Sequence, residues 1–295
     1  MDSFETCPET EFVDRESEMR RFCGLLDSPT KHIMLVWGDN GIGKTSLLAR
    51  MIHECASRHL AKSEVVWTDT RPYNYMDIMR QLRDDLGVDA FNAFTDRINF
   101  YTKDHYELKI VVQGSVEVGK QASISNGANV ENIGVQVNVN DLMSSAPRTD
   151  MAVPESERMA RLTDQFVQDF RALQKDKLVV VFFDAVEKMS SETEKWLWSE
   201  LLKAACDGRL ANVKFVLCGV KKPEYGRAWR EYVEEAQLQP LTREHILAYF
   251  EKRHVRHEHW ETLATVLLMT THGKVAEVAT WVDAFLEQPG SKDGE

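Results

Sequence analysis

The sequence predicts an α/β fold: a parallel β-sheet with flanking helices, an inserted β-hairpin and a small C-terminal helical lid. Short apolar runs, typical of buried parallel strands, alternate with stretches of helical spacing. One strand is joined to its helix by a glycine-rich loop, and another apolar run ends in a carboxylate. Because a β-α-β-α order is the start of a parallel sheet with crossover helices, these features predict the fold class.

The apolar spacing also predicts where the elements lie along the chain. In chain order they are a helix that includes Met19, a strand over 33–37, a helix after the glycine-rich loop, a strand over 64–68, a helix over 75–86, the hairpin, a helix over 155–174, a strand over 178–184, a helix over 191–206, a strand over 213–219, a helix with Arg227 and Arg230, and three C-terminal helices.

Composition limits the class of protein. The chain has 295 residues, enough for a full α/β core with one smaller attached domain. A net charge of −11 and a pI near 5.4 argue against a protein held broadly on nucleic-acid phosphates, so a nucleic-acid partner is not expected. The five cysteines form no C-x-x-C pair, as expected for reduced thiols. Without a membrane-length apolar stretch or a signal peptide, we expect a cytoplasmic protein.

The glycine-rich loop after the first strand carries the strongest functional signal. It fits the P-loop pattern G-x-x-x-x-G-K-[ST] at every fixed position. Glycines let backbone N–H groups converge on a phosphate, and the N-terminus of the next helix adds partial positive charge. Lys44 is expected to reach the β- and γ-phosphates, and the Thr45 hydroxyl to bind Mg²⁺. The expected nucleotide-binding residues of this segment are Gly38, Asp39, Asn40, Gly41, Ile42, Gly43, Lys44, Thr45 and Ser46.

The second half of a P-loop site is predicted at Asp184. This carboxylate ends the apolar run 178–184, which is typical of a central parallel strand. A carboxylate at that end of the strand is placed to bind the Mg²⁺ ion. We therefore expect Lys44 and Asp184 to share one nucleotide ligand.

Residues 11–19 resemble the opening segment F-V-G-R-E-x-E-L of the signal-transduction (STAND) ATPases and of initiator-type AAA+ ATPases. Asp14 stands where glycine is usual. The resemblance implies that this segment lies against the adenine, which makes Val13 and Arg15 candidate nucleotide-binding residues. An ordinary N-terminal helix with an acidic start is the alternative interpretation.

The residues after the predicted Mg²⁺ carboxylate carry the same resemblance. Residues 184–187 (D-A-V-E) are similar to the D-G-x-D-E and D-A-x-E forms of NACHT-like and other signal-transduction ATPases. The resemblance implies that Glu187 orients or deprotonates the attacking water. Alternatively, Glu187 is a first-turn helix acid near a capping box formed by Ser191 and Glu194. The families also imply a γ-phosphate sensor at Lys221 or Lys222, although both could be surface lysines.

Residues 96–150 interrupt the alternation of strands and helices. Two runs with strand period flank Asn126-Gly127, the strongest short hairpin signal. We expect a β-hairpin over 106–139 that contacts a protein partner or a second copy of the chain. The alternative is a decoration that extends the core sheet or shields its edge.

The predicted domain plan is a flexible N-terminus (1–10), an ATPase core (11–240) that contains the insertion 96–150, a helical lid (241–288) and a polar tail (289–295). Thr242 is expected to cap the first lid helix. Residues 273–275 (G-K-V) resemble the G-x-P signature of these families, with valine in the proline position. The resemblance implies a contact between the lid and the nucleotide.

These features predict an ATPase of the signal-transduction or AAA+ kind, with ATP or ADP and Mg²⁺ as cofactors. Lys44, Asp184 and Glu187 are the expected catalytic residues, and Thr45 and Asp184 the expected metal ligands. Slow hydrolysis would serve as a conformational or oligomerisation switch. Two alternatives remain open: a DNA-associated AAA+ ATPase, and a scaffold that binds ATP without hydrolysing it.

Overall fold

The computed structural model of the protein describes residues 14–101, 154–175, 177–255 and 259–286. The predicted N-terminal segment 1–10, Val13, the hairpin 106–139 and the tail 289–295 lie outside these ranges. No helix within them is long and apolar enough to cross a membrane. The chain divides into two compact units, with residues 91–169 forming the second.

The first unit is built on a five-stranded parallel sheet, which confirms the predicted α/β class. Its strands lie in the order β2-β3-β4-β1-β5, and each is parallel to its neighbours. They are β1 (Ile33–Trp37), β2 (Ala61–Val66), β3 (Val179–Asp184), β4 (Val213–Gly219) and β5 (Val233–Gln237). The strands β3 and β4 are buried throughout, as expected for central parallel strands covered on both faces.

The strand predicted at 64–68 is shifted. β2 begins at Ala61 and ends at Val66, where its register with β3 reaches Asp184. The first residues of β2 are polar or small, so they do not form the apolar run of a central strand. Such residues fit here because β2 lies at one edge of the sheet and only alternate side chains are buried at its end. The ladder ends because Thr68 turns back to form a bridge with Arg71.

Helices alternate with the strands along the chain and continue after the last strand. In chain order they are α1 (Glu16–Asp27), α2 (Lys44–Ser57), α3 (Tyr75–Leu86), α4 (92–101), α5 (Glu155–Leu173), α6 (Ser191–Trp196 and Lys203–Cys206, joined by the π-helical stretch Leu197–Leu202), α7 (Arg243–Lys252), α8 (Trp260–Thr271) and α9 (Val275–Leu286). Phe22 of α1 and Leu47 of α2 are fully buried in one hydrophobic cluster with Met34 of β1. This packing fixes the start of α2, and therefore the glycine-rich loop, above the sheet.

The helices α7, α8 and α9, here called the lid, have a hydrophobic cluster of their own. Ile246, Phe250 and Val278 are fully buried within it. As predicted, Thr242 caps α7: its hydroxyl accepts a hydrogen bond from the His245 N–H at 3.4 Å. The ring nitrogen Nδ1 of His245 in turn accepts from the Thr242 N–H, which completes a capping box.

In the second unit, α4 and the residue before it, Phe91, pack against α5 through aromatic side chains. The ring of Phe166 lies 5.1 Å from the rings of Phe91 and Phe94, measured between centroids. The Phe94 N–H donates to the carboxylate of Asp169 at 2.8 Å. These contacts explain why the apolar stripe predicted for the helix over 155–174 is buried here.

Candidate functional site

The glycine-rich loop connects β1 to α2 and has the backbone conformation that its sequence predicts. Gly41 and Gly43 have φ of 79° and 92°, in the left-handed region that favours glycine. Gly43 is also approached closely, because a Cβ there would lie 3.2 Å from Cγ2 of Val275. α2 begins at Lys44, so the unsatisfied N–H groups of its first turn lie at the loop. Such a helix start is a ready anion site.

The side chain of Lys44 folds back onto the glycine-rich loop. Its Nζ donates to the carbonyl oxygens of Gly38 at 2.8 Å and of Asp39 at 2.9 Å. Gly38 lies against Leu238, whose carbonyl oxygen would be 3.1 Å from an added Cβ. Gly38 and Asp39 are therefore placed to shape the loop and hold the lysine.

Thr45 and Asp184 meet although 139 positions separate them in the sequence. The Thr45 Oγ1 donates to Oδ2 of Asp184 at 3.1 Å. Asp184 is 7% exposed, and its other oxygen accepts from the Ala185 N–H at 2.8 Å. Ala185 has φ of 59°, so the chain turns away from the sheet directly after the carboxylate. Burial and then the nearby Asp184 carboxylate raise the pKa of the Cys218 thiol, which stays neutral beside this pair.

This pair fits a hard cation, which prefers oxygen ligands. Within the described ranges, no three His, Cys, Asp or Glu side chains group to form a metal site. A Mg²⁺ ion held by Thr45 and Asp184 would therefore draw its remaining ligands from phosphate oxygens and water, which is its usual mode.

Glu187 lies in a short 3₁₀ turn, Val186–Lys188, between β3 and α6. Its Oε2 accepts a hydrogen bond from the Val220 N–H, just after β4, at 3.1 Å. The predicted cap at Ser191 is wrong by one residue: Ser190 caps α6, accepting from the Thr193 N–H at 3.2 Å. Glu187 thus precedes the cap and is not a first-turn acid of α6.

Arg15 is 4% exposed and joins separate parts of the chain. Its Nη2 donates to the carbonyl oxygens of Ile42 at 3.0 Å and of Gln239 at 2.9 Å, and its Nη1 to Asp14 at 3.1 Å. The guanidinium therefore positions the glycine-rich loop through Ile42. Asp14 has φ of 55°, in the left-handed region that favours the glycine of the F-V-G-R-E pattern that this segment resembles.

The lid touches the loop directly. The Ala276 N–H, at the start of α9, donates to the Gly41 carbonyl at 3.0 Å. The lid also meets the segment before α1, where Oδ2 of Asp14 lies 2.9 Å from Nδ1 of His245. The two form an ion pair only when the ring is protonated, and Nδ1 then no longer accepts from the Thr242 N–H. Burial raises the pKa of Asp14, whereas the neighbouring His245 and Arg15 lower it.

Loop, strand ends and lid enclose a cavity of about 510 Å³, within the usual range for small-molecule sites. The predicted residues that line it are Arg15, Asn40, Gly41, Gly43, Lys44, Thr45, Ser46, Asp184 and Glu187. Gly38, Asp39 and Ile42 do not line it. Val275 belongs to the segment 273–275 for which the family resemblance implies a contact between lid and nucleotide. The lining residues that were not predicted are Ala185, Lys188, Leu241, Tyr249, Ala276, Val278 and Ala279; the apolar wall consists of Leu241, Tyr249, Val275, Val278 and Ala279, with Ala276 beside it.

Neither candidate sensor lysine, Lys221 or Lys222, lines this cavity. Lys222 instead forms an ion pair with Glu235 at 2.6 Å and lies over the Trp37 ring. The helix predicted to carry Arg227 and Arg230 is only a 3₁₀ turn, Arg227–Trp229. Gly226 and the Pro223 before it disfavour a longer helix.

Comparison with known proteins gives a family match. The AAA ATPase domain family matches residues 11–217. No curated protein matches the chain significantly.

Several solved structures are similar to the chain at low sequence identity. Cdc6p from Pyrobaculum aerophilum has a TM-score of 0.51 and 13% identity, covering 96% of this chain and 64% of that one. A Signal Transduction ATPase with Numerous Domains (STAND) protein with a tetratricopeptide repeat sensor, from Pyrococcus horikoshii, has a TM-score of 0.44 and 16% identity, covering 90% and 28%. AMPPCP-bound DnaA from Aquifex aeolicus has a TM-score of 0.46 and 12% identity, covering 94% and 58%. The chain thus spans less than two thirds of each of these proteins.

Proposed function

Because the chain belongs to the AAA ATPase domain family, we propose that it binds ATP with Mg²⁺ and hydrolyses the terminal phosphate. The observation that carries this proposal is the 3.1 Å contact between Thr45 and Asp184. It lies in the wall of the same cavity that the glycine-rich loop and Lys44 line. Thr45, Asp184 and Lys44 would thus surround one triphosphate.

Lys44 would bind the β- and γ-phosphate oxygens. Its ammonium now rests on two neutral carbonyl oxygens, which are weaker partners than a phosphate anion. The flexible stem of the side chain allows it to exchange these partners for the phosphate. When bound at Thr45 and Asp184, Mg²⁺ would neutralise charge that develops on the phosphate oxygens.

Glu187 would accept a proton from the attacking water. One carboxylate oxygen, Oε2, is held by the Val220 N–H, which fixes the orientation of the side chain. Oε1 is then the atom available to take the proton. Only two residues separate Glu187 from Asp184 at the end of β3. This short connection supports the role of Glu187, because it keeps the base beside the phosphate-binding end of the strands.

The apolar lid wall would receive the base of the nucleotide. Tyr249 is 7% and Leu241 5% exposed, and both face the cavity with Val278 and Ala279. Apolar and aromatic side chains are the usual surroundings of a bound base. Val13 remains a further candidate for this contact.

We propose that hydrolysis acts as a switch on the lid. The lid touches the loop through the Ala276 N–H, which lies in the wall of the proposed ATP site, and it touches the segment before α1 through the Asp14–His245 contact. A nucleotide held between core and lid can favour one arrangement of the two over another. The signal-transduction role rests on the segments at 11–19 and 184–187, with a protein partner or a second copy proposed at the 106–139 hairpin.

Phosphate release tests the proposal. Glu187→Gln should lower the rate at least about 100-fold, the usual contribution of a general base, while ATP affinity changes little. Glu192→Gln, an exposed acid in the next helix, is the matched control and should retain the wild-type rate. If wild type and Glu187→Gln both bind ATP but release phosphate only at background, the protein is a non-hydrolysing ATP-binding scaffold.

A further inference from the structure

A third cation lines the ATP cavity and has no role in the proposed chemistry. Among the described residues, the basic side chains in the wall are Arg15, Lys44 and Lys188. Arg15 is committed to backbone carbonyls and Asp14, and Lys44 belongs to the loop. Lys188 is the cation whose presence in the wall still needs an explanation.

The backbone fixes Lys188 beside the phosphate-binding edge. It closes the 3₁₀ turn that begins after Asp184, with its N–H bonded to the Ala185 carbonyl at 2.9 Å. Glu187 is its immediate neighbour on this turn. Because Glu187 is proposed to face the water that attacks the terminal phosphate, the same turn carries Lys188 to that end of the nucleotide.

The ion pair that now holds Lys188 is easily exchanged. Its Nζ lies 3.0 Å from Oδ1 of Asp69, with the lysine side chain 41% and the aspartate 91% exposed. Pairs exposed to this degree contribute little free energy. A triphosphate carries several negative charges and would lie in the more enclosed cavity, where charge interactions are stronger.

We propose that Lys188 binds the terminal phosphate of a nucleoside triphosphate and releases Asp69 when it does so. This inference rests on the proposed function, since it requires a triphosphate between Lys44 and Asp184. Asp69 lies in the turn after β2 that Thr68 and Arg71 close. Exchange of its partner would therefore make this turn differ between the ATP and ADP states.

The discriminating experiment is calorimetric titration with Mg²⁺ and either ADP or the β,γ-methylene analogue of ATP. Lys188→Met should weaken binding of the analogue about tenfold, the cost of one hydrogen bond to a charged group, and leave ADP affinity within about twofold. Lys188→Arg should retain most of the analogue affinity. Lys195→Met, which removes an exposed lysine from α6, is the charge-matched control and should behave as wild type.

The Asp69 partner gives a second, independent readout. Asp69→Asn should raise the affinity for the analogue relative to ADP by about two- to fivefold, the range of an exposed ion pair. That gain should vanish when Lys188→Met is present, because the two residues are then no longer coupled.

Two results would overturn the assignment: Lys188→Met binding the analogue as tightly as wild type, or losing ADP and the analogue equally. Measuring Lys44→Ala alongside distinguishes a failure of the Lys188 assignment from a failure of the proposed ATP site. If Lys44→Ala loses both nucleotides while Lys188→Met loses neither, only the role of Lys188 fails. If Lys44→Ala binds like wild type, the ATP site itself is wrongly placed.

Discussion

Gly273 offers the sharpest test of how the lid is attached. It lies in the turn between α8 and α9 with φ of 72°, and its carbonyl accepts from the Leu241 N–H at 2.8 Å. A Cβ at Gly273 would lie 2.3 Å from the Leu241 carbonyl oxygen and 3.0 Å from its nitrogen. Gly273→Ala must therefore separate the turn from the segment that leaves the sheet.

The expected loss has three parts. Left-handed backbone costs alanine roughly 1 kcal/mol, and the displaced Leu241 hydrogen bond about 1 kcal/mol more. Relief of the overlap by local shifts adds at least about 1 kcal/mol. The free energy of unfolding should thus fall by about 3 kcal/mol. Gly208→Ala is the control, because φ is 78° but nothing lies within 4 Å of an added Cβ, and it should lose only about 1 kcal/mol.

Urea unfolding of the two variants measures this difference directly. Gly273→Ala should also weaken ATP binding, because the turn sets the start of α9 and so the position of Ala276 on the loop. Gly208→Ala should leave ATP binding unchanged. Equal destabilisation by the two substitutions would refute the close approach between Gly273 and Leu241.

Two further predictions concern buried cations. Arg15→Met should lower the free energy of unfolding by about 3 kcal/mol in urea titrations, since it removes two charge-assisted hydrogen bonds to the Ile42 and Gln239 carbonyls; a loss below about 1 kcal/mol would show that water satisfies these carbonyls. Burial lowers the pKa of Lys214 to about 8 from an ordinary value of 10.5, so between these values the unfolded chain binds more protons and stability rises with pH. Relative to Lys214→Met, the wild type should gain about 2 kcal/mol between pH 8 and 10, and parallel curves would contradict the shift.

The core of the site could be predicted because its signals are local. The glycine-rich pattern fixes Lys44 and Thr45 relative to α2, and an apolar strand ending in a carboxylate identifies Asp184. Parallel topology then brings both to one edge of the sheet. These are sequence features whose spatial consequence does not depend on distant side chains.

The rest depends on contacts that no local pattern encodes. Tyr249 of α7 and Val278 of α9 each belong to the apolar spacing of their own helix. That spacing indicates a buried face, but not whether the face packs on the core or lines a cavity. Arg15 lines the cavity, but no local pattern indicates that its Nη2 donates to two backbone carbonyls far away in the sequence. Lys222 turns to Glu235 and Trp37, neighbours that appear only once β5 pairs with β1.

The central claim is that Lys44, Thr45 and Asp184 hold one metal-bound triphosphate. A crystal structure of Glu187→Gln with ATP and Mn²⁺ in place of Mg²⁺ tests it most directly, because anomalous scattering locates the metal. We expect the metal bonded to Thr45 Oγ1 beside Asp184, and Lys44 Nζ on the β- and γ-phosphates. Metal and triphosphate bound elsewhere, with the Thr45–Asp184 hydrogen bond intact, would contradict the account.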